Sequence, residues 1–126
     1  MGETFSENQR LEVLIMRENK LKWVPYANFW ENIQSNTSLL KINVSKTDLS
    51  DRVLEKLCLY LQNPNLKLAD LDLSRNSITD ISLQNLAETL TTNQTVKFLN
   101  LGSNLIRDVG LRSLVAWLSH EKCVLE

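Results

Sequence analysis

Leu68-Ala69-Asp70-Leu71-Asp72-Leu73-Ser74-Arg75-Asn76-Ser77-Ile78 returns 28 residues later as Val96-Lys97-Phe98-Leu99-Asn100-Leu101-Gly102-Ser103-Asn104-Leu105-Ile106. Both stretches fill the pattern L-x-x-L-x-L-x-x-N-x-L. The same slots hold Leu39, Ile42, Val44, Thr47 and Leu49 upstream, and Leu11, Leu14, Met16, Asn19 and Leu21 before those. The starts at 11, 39, 68 and 96 are spaced by 28, 29 and 28 residues, and a further step falls on Val124. Self-similarity at a fixed period of this length is the signature of a stacked repeat array.

The segments between these stretches keep the same register. Each carries apolar residues at i, i+3, i+4 and i+7, one face of a helix. The sets are Tyr26, Phe29, Trp30 and Ile33; Leu54, Leu57, Cys58 and Leu61; Leu83, Leu86, Ala87 and Leu90; and Leu111, Leu114, Val115 and Leu118. Asp51, Asp80 and Asp108 precede the last three helices, where a carboxylate can cap free amide hydrogens. The first helix has Trp23 in that place and Pro25 in its first turn, where proline sacrifices no hydrogen bond.

In a short strand alternate side chains point the same way, so Leu71 and Leu73 face the core while Asp70, Asp72 and Ser74 face out. The asparagine then turns the chain, its amide satisfying backbone groups that the turn leaves open. Thr47 occupies that slot with a hydroxyl alone, and its turn is expected to be the weakest. Parallel strands stacked side by side under wider helices force curvature.

Together these residues resemble the leucine-rich-repeat family, and the alternating 28- and 29-residue period is similar to its ribonuclease-inhibitor-like branch. The likeness runs from residue 11 to 126, with units at 11–38, 39–67, 68–95 and 96–123 and the start of a fifth at 124, after a segment of residues 1–10. It implies an α/β, right-handed horseshoe segment with parallel strands on the concave face and helices on the convex face. It also implies protein recognition by the concave face. The branch is intracellular and includes the ribonuclease inhibitor, sensing ends of nucleotide-binding immune receptors, tropomodulin-like actin cappers, the Ran GTPase-activating protein and ciliary subunits.

With this register the outward strand residues form columns: Val13, Lys41, Asp70, Phe98; then Ile15, Asn43, Asp72, Asn100; then Arg17, Ser45, Ser74, Gly102; then Glu18, Lys46, Arg75, Ser103. The candidate partner-binding set is Lys41, Asn43, Asp70, Asp72, Arg75, Phe98 and Asn100. Phe98 leads it, because an exposed aromatic offers a large contact area at low entropic loss, with packing against Asp70 or an adjoining segment as the equal alternative. Asp70 and Asp72 suit a basic segment of a partner, although either one taken singly reads better as a solvated carboxylate that keeps the face soluble, and Arg75 either pairs with them or engages a partner's carboxylate. On the helices the column Asn32, Tyr60, Thr89, Trp117 makes Tyr60 and Trp117 a possible patch on the convex side, although for Trp117 packing over the last turn is the favoured reading and an interface anchor the alternative.

A net charge of −1 over 126 residues supplies no field for a nucleic-acid backbone. No apolar run approaches the roughly 18 residues of a membrane helix. Gly2 and Ser6 match a loose myristoylation pattern that Glu3 weakens. Cys58 and Cys123 in separate repeats suit a reducing compartment, so a cytoplasmic location is expected. The sequons at Asn36, Asn43 and Asn93 point weakly the other way.

Catalysis is not expected. His120 and Cys123 are a poor nucleophilic pair, two cysteines and one histidine do not fill a tetrahedral zinc site, and Gly2, Gly102 and Gly110 are too scattered to cradle phosphate. No cofactor is expected. The leading reading is therefore a non-catalytic interaction module with a protein partner. The alternatives are a structural subunit docking end to end in a cytoskeletal or ciliary assembly, and a GTPase-activating fragment that uses Arg75 or Arg107.

Overall fold

The computed structural model describes residues 9–20 and 23–119, with side chains given throughout except for residues 23–27. Four short strands, β1 (Val13–Ile15), β2 (Lys41–Asn43), β3 (Asp70–Asp72) and β4 (Phe98–Asn100), alternate with helices α1 (Trp23–Asn32), α2 (Asp51–Leu61), α3 (Asp80–Thr92) and α4 (Asp108–Leu118). The strands form one parallel sheet in chain order. Their pairing aligns Leu14, Ile42, Leu71 and Leu99 in a single row. The repeat spacing alone requires that row.

Behind the sheet the apolar stripes of the helices close the core. Trp30, Ile33, Leu54, Leu57, Cys58, Leu61, Leu83, Leu86 and Leu90 are all buried. The last stripe departs from expectation: Leu111, Val115 and Leu118 are 47%, 58% and 46% exposed, although the matching Leu83, Ala87 and Leu90 are covered. Each stripe is sealed by the strand and helix that follow it, and α4 is the last helix described. Gly110 stands where Val53 and Ser82 stand in the preceding helices. A Cβ there would collide with Asp80 and Leu83, so α4 lies close against α3.

After each strand the chain turns through a residue in the left-handed region: Glu18, Lys46, Arg75 and Ser103, with φ of 64°, 54°, 56° and 56°. Such a conformation is unfavourable for a residue with a Cβ, and the asparagine that follows secures the turn from inside. Asn76 is buried. Its Oδ1 accepts the backbone N–H groups of Thr47 and Leu49, both at 3.0 Å. Its Nδ2 donates to the carbonyls of Val44, Leu73 and Ser74 at 3.0, 3.1 and 3.1 Å. Asn104 does the same one repeat on, accepting from Ile78 N–H and donating to the Leu73 and Leu101 carbonyls. Thr47 closes its own turn through a hydroxyl bond to the Val44 carbonyl at 2.7 Å, and Asn76 completes that turn from the next repeat.

The aspartates act differently from the capping expected of them. Ser50, Thr79 and Arg107 occupy the cap positions, and Asp51, Asp80 and Asp108 are the first helical residues. Instead of capping its own helix, Asp51 reaches forward, accepting hydrogen bonds from the amide and hydroxyl of Thr79 and from the Ser82 hydroxyl. Asp80 likewise accepts the Arg107 amide at 2.7 Å. Burial opposes ionisation of Asp51, but the bonds from Ser82 and Thr79 outweigh it and hold the carboxyl below its usual value.

Burial also pushes the Cys58 thiol up to about 11, against a hydrogen bond with the Thr89 side chain that favours the thiolate. The folded state therefore prefers the protonated thiol. Its contribution to stability is intact below the pKa of the unfolded thiol and is lost as pH rises toward about 11. Over that window the unfolding free energy of the wild-type chain is expected to fall by roughly 2–3 kcal/mol more than that of Cys58→Ala. Denaturant titrations of both chains at mildly and strongly alkaline pH check this, and parallel curves would refute it.

Candidate functional site

Strand pairing sets Lys41 between Val13 and Asp70, and Asn43 between Ile15 and Asp72. Phe98 and Asn100 follow on β4. Lys41, Asn43, Asp70, Asp72, Phe98 and Asn100, with Leu99, line one shallow depression of about 310 Å³. Six of the seven residues selected on the strand face thus come together. Arg75 does not join them: it is an exposed residue at the left-handed turn, and its backbone N–H donates to the Gly102 carbonyl.

Within the depression the polar groups are already oriented. Asn43 Oδ1 accepts from the amide and hydroxyl of Ser45 at 3.0 and 2.8 Å. Asp72 Oδ1 holds Ser74 in the same way at 3.0 and 2.7 Å, and Asn100 Oδ1 accepts the Gly102 amide at 3.0 Å. Asp70 pairs with Lys41 at 3.5 Å across half-exposed side chains, a contact worth only about 0–1 kcal/mol. Phe98 is 52% exposed. An aromatic left this open beside fixed polar groups offers contact area with little ordering required.

Sequence reasoning placed Val13 and Ile15 in the columns but did not select them. At 48% and 58% exposed they give the face an apolar flank on β1. The signal was an apolar side chain at an outward strand position.

The convex patch is not formed. Tyr60 is fully buried and Trp117 is 3% exposed. Their column faces the preceding helix: Tyr60 lies 6.0 Å from Trp30 between ring centroids, and Trp117 sits with Ala87, Glu88 and Thr91 of α3. Only Asn32, in the first described helix, is exposed. The Tyr60 hydroxyl and Trp117 Nε1 have no hydrogen-bond partner, and burial raises the Tyr60 pKa well above the ordinary phenol value.

The sequons Asn36 and Asn93 are buried, and their side chains serve the turns ahead of β2 and β4. Among the described residues no three His, Cys, Asp or Glu side chains converge, and no helix is long and apolar enough to cross a membrane. His120, Cys123 and Gly2 lie outside the described residues.

A profile of the Leucine Rich repeat family matches residues 63–87 and 92–115. The chain is similar to NACHT, LRR and PYD domains-containing protein 9B of Mus musculus, with 31% identity over 116 residues that take in 92% of this chain and 12% of the relative. It is similar also to NACHT, LRR and PYD domains-containing protein 14 of Homo sapiens, 30% identical over 110 residues, 84% of this chain and 10% of that protein. This chain therefore spans only a small part of either relative. Among solved structures, Leiomodin-1 Actin-Binding Site 2 superposes with a TM-score of 0.83 at 16% identity, over 93% of this chain and 69% of the other. The tropomodulin C-terminal domain of Caenorhabditis elegans superposes at 0.80 and 13%, over 93% and 75%. At such identities the structural likeness is one of fold. The repeat register, the parallel sheet and these matches agree: the chain is a leucine-rich-repeat protein, folded as an α/β solenoid with its strands on one face and its helices on the other.

Proposed function

We propose that this chain is a non-catalytic recognition module that binds a protein partner across its concave strand face. The reading is carried by the half-exposed Phe98 set among Asn43, Asp72 and Asn100, whose side chains are fixed by their own turns. Preorganised polar groups beside an open aromatic suit binding, because little freedom is lost on association. The partner presents a basic segment to Asp72, since Asp70 is already engaged by Lys41, and apolar groups to Phe98 and to Val13 and Ile15. The leiomodin-1 domain is described as an actin-binding site, so actin is one partner to assay.

The test is affinity capture, identification of the bound protein, and titration of that protein against Phe98→Ala and Asp72→Arg. Each variant is expected to weaken binding by about tenfold or more, the effect of losing a central contact. Unchanged affinity in both removes the concave face from consideration. Unchanged affinity in Tyr60→Phe is expected, because that side chain is enclosed.

A further inference from the structure

We propose that the strand face binds a second copy of this chain, face to face about a twofold axis parallel to the strands and midway between β2 and β3; the proposal rests on that face being the recognition surface.

Such an axis reverses the order of the strands and keeps their direction, so each outward column meets itself read backwards. The first column is Val13, Lys41, Asp70, Phe98. Its ends are apolar and half-exposed, and its two middle residues carry opposite charges. Read against its own reverse, Val13 meets Phe98 and Lys41 meets Asp70, each pairing formed twice. The face is concave, so its edges touch first, and the edges hold Val13, Ile15 and Phe98. The long Lys41 side chain spans the middle.

The second column, Ile15, Asn43, Asp72, Asn100, matches at its centre. Asn43 and Asp72 each commit Oδ1 to the turn that follows. What they leave to a partner is a donor, Asn43 Nδ2, and an acceptor, Asp72 Oδ2. The twofold sets each donor opposite the acceptor of the other copy. Ile15 falls opposite Asn100 and beside Phe98 of the other copy, while Lys41 of that copy can reach Asp72 as well as Asp70.

A net charge of −1 raises no long-range repulsion between copies. Four strands at the usual spacing make a face less than about 20 Å across, so the contact is small and the dimer weak and reversible. Past the strand ends the same axis sets Lys46 opposite Arg75. Both are exposed, so water and salt screen them; their repulsion limits the affinity without preventing the match.

Sedimentation equilibrium over a concentration series tests this. Lys41→Asp alone and Asp70→Lys alone each set like charges across the axis and are expected to weaken the dimer by about tenfold or more. Their equimolar mixture is expected to recover it as a heterodimer, because every altered charge then faces its opposite. Each variant also loses the Lys41–Asp70 pair within its own chain, which mixing does not restore, so the recovery reads the contact between copies. Phe98→Ala is expected to weaken the dimer by about tenfold, and Arg75→Glu to tighten it. A wild-type chain that stays monomeric up to about 1 mM overturns the proposal. So does a dimer that Phe98→Ala leaves unchanged, or one that mixing fails to rescue. If the chain is monomeric, a captured protein whose binding Phe98→Ala weakens still keeps the strand face as the recognition surface and makes that protein its occupant.

Discussion

Asn76→Ala is expected to lower the unfolding free energy by about 3–5 kcal/mol, although it removes one small polar side chain and leaves every leucine in place. The carboxamide satisfies two backbone N–H groups and three carbonyls in a site closed to water. The three carbonyls keep other donors in the Thr47 hydroxyl, the Asn104 amide and the Lys46 N–H, but the Thr47 and Leu49 amides are stranded, and each buried group left without a partner costs about 1–3 kcal/mol. The same change at Asn104, which is half-buried, is expected to cost about 1–3 kcal/mol. At Asn19, which is exposed and bonds only to the Met16 and Arg17 carbonyls of its own turn, the loss stays below about 1 kcal/mol. Urea titrations of the three variants check the order, and equal losses at Asn76 and Asn19 would refute this account.

Leu71→Ala is expected to cost about 2–5 kcal/mol, the range for emptying a buried leucine site in a packed core. Leu71 is wholly buried on β3, held between Ile42 and Leu99. Neither neighbour can collapse into the space, because each is pinned by its strand. Leu99→Ala, at the partly exposed end of the same row, is expected to cost less than half as much. Thermal or chemical melts of the two variants decide the matter. Comparable losses would mean that the row does not share one core.

The fold was legible because its evidence repeats. Leu14, Ile42, Leu71 and Leu99 occupy one slot at a near-constant spacing, and a strand register follows from that spacing without knowledge of any contact. The strand face was legible for the same reason: alternation tells in from out, and the depression assembled from six named residues. What failed depended on contacts between repeats. Tyr60 and Trp117 lie off the sheet-facing stripe of their helices, so the helical period alone reads them as outward, and only the size of the Trp117 ring pointed to the cover it has. It carries no information about a neighbouring helix pressing on their flank. The aspartates were misread by one position because a cap and a first-turn residue look alike in sequence, while the amides that donate to them lie 27 or 28 residues away. Leu111 and its companions read as core because their pattern is core, and only the structure reveals whether a following layer closes over them.

The asparagine bonds between neighbouring turns run one way along the solenoid. Asn76 finishes the turn belonging to β2 and Asn104 helps to finish the one belonging to β3, whereas the bonds lent downstream, from Asp51 and Asp80, hold the start of the following helix and not a strand turn. Trimming this chain is therefore predicted to be asymmetric at the strand turns: cutting away a C-terminal coil strips its predecessor of an asparagine brace, while removing the N-terminal coil leaves the asparagine braces of the remaining turns in place. Fraying should advance inward from the far end, each lost coil loosening the next.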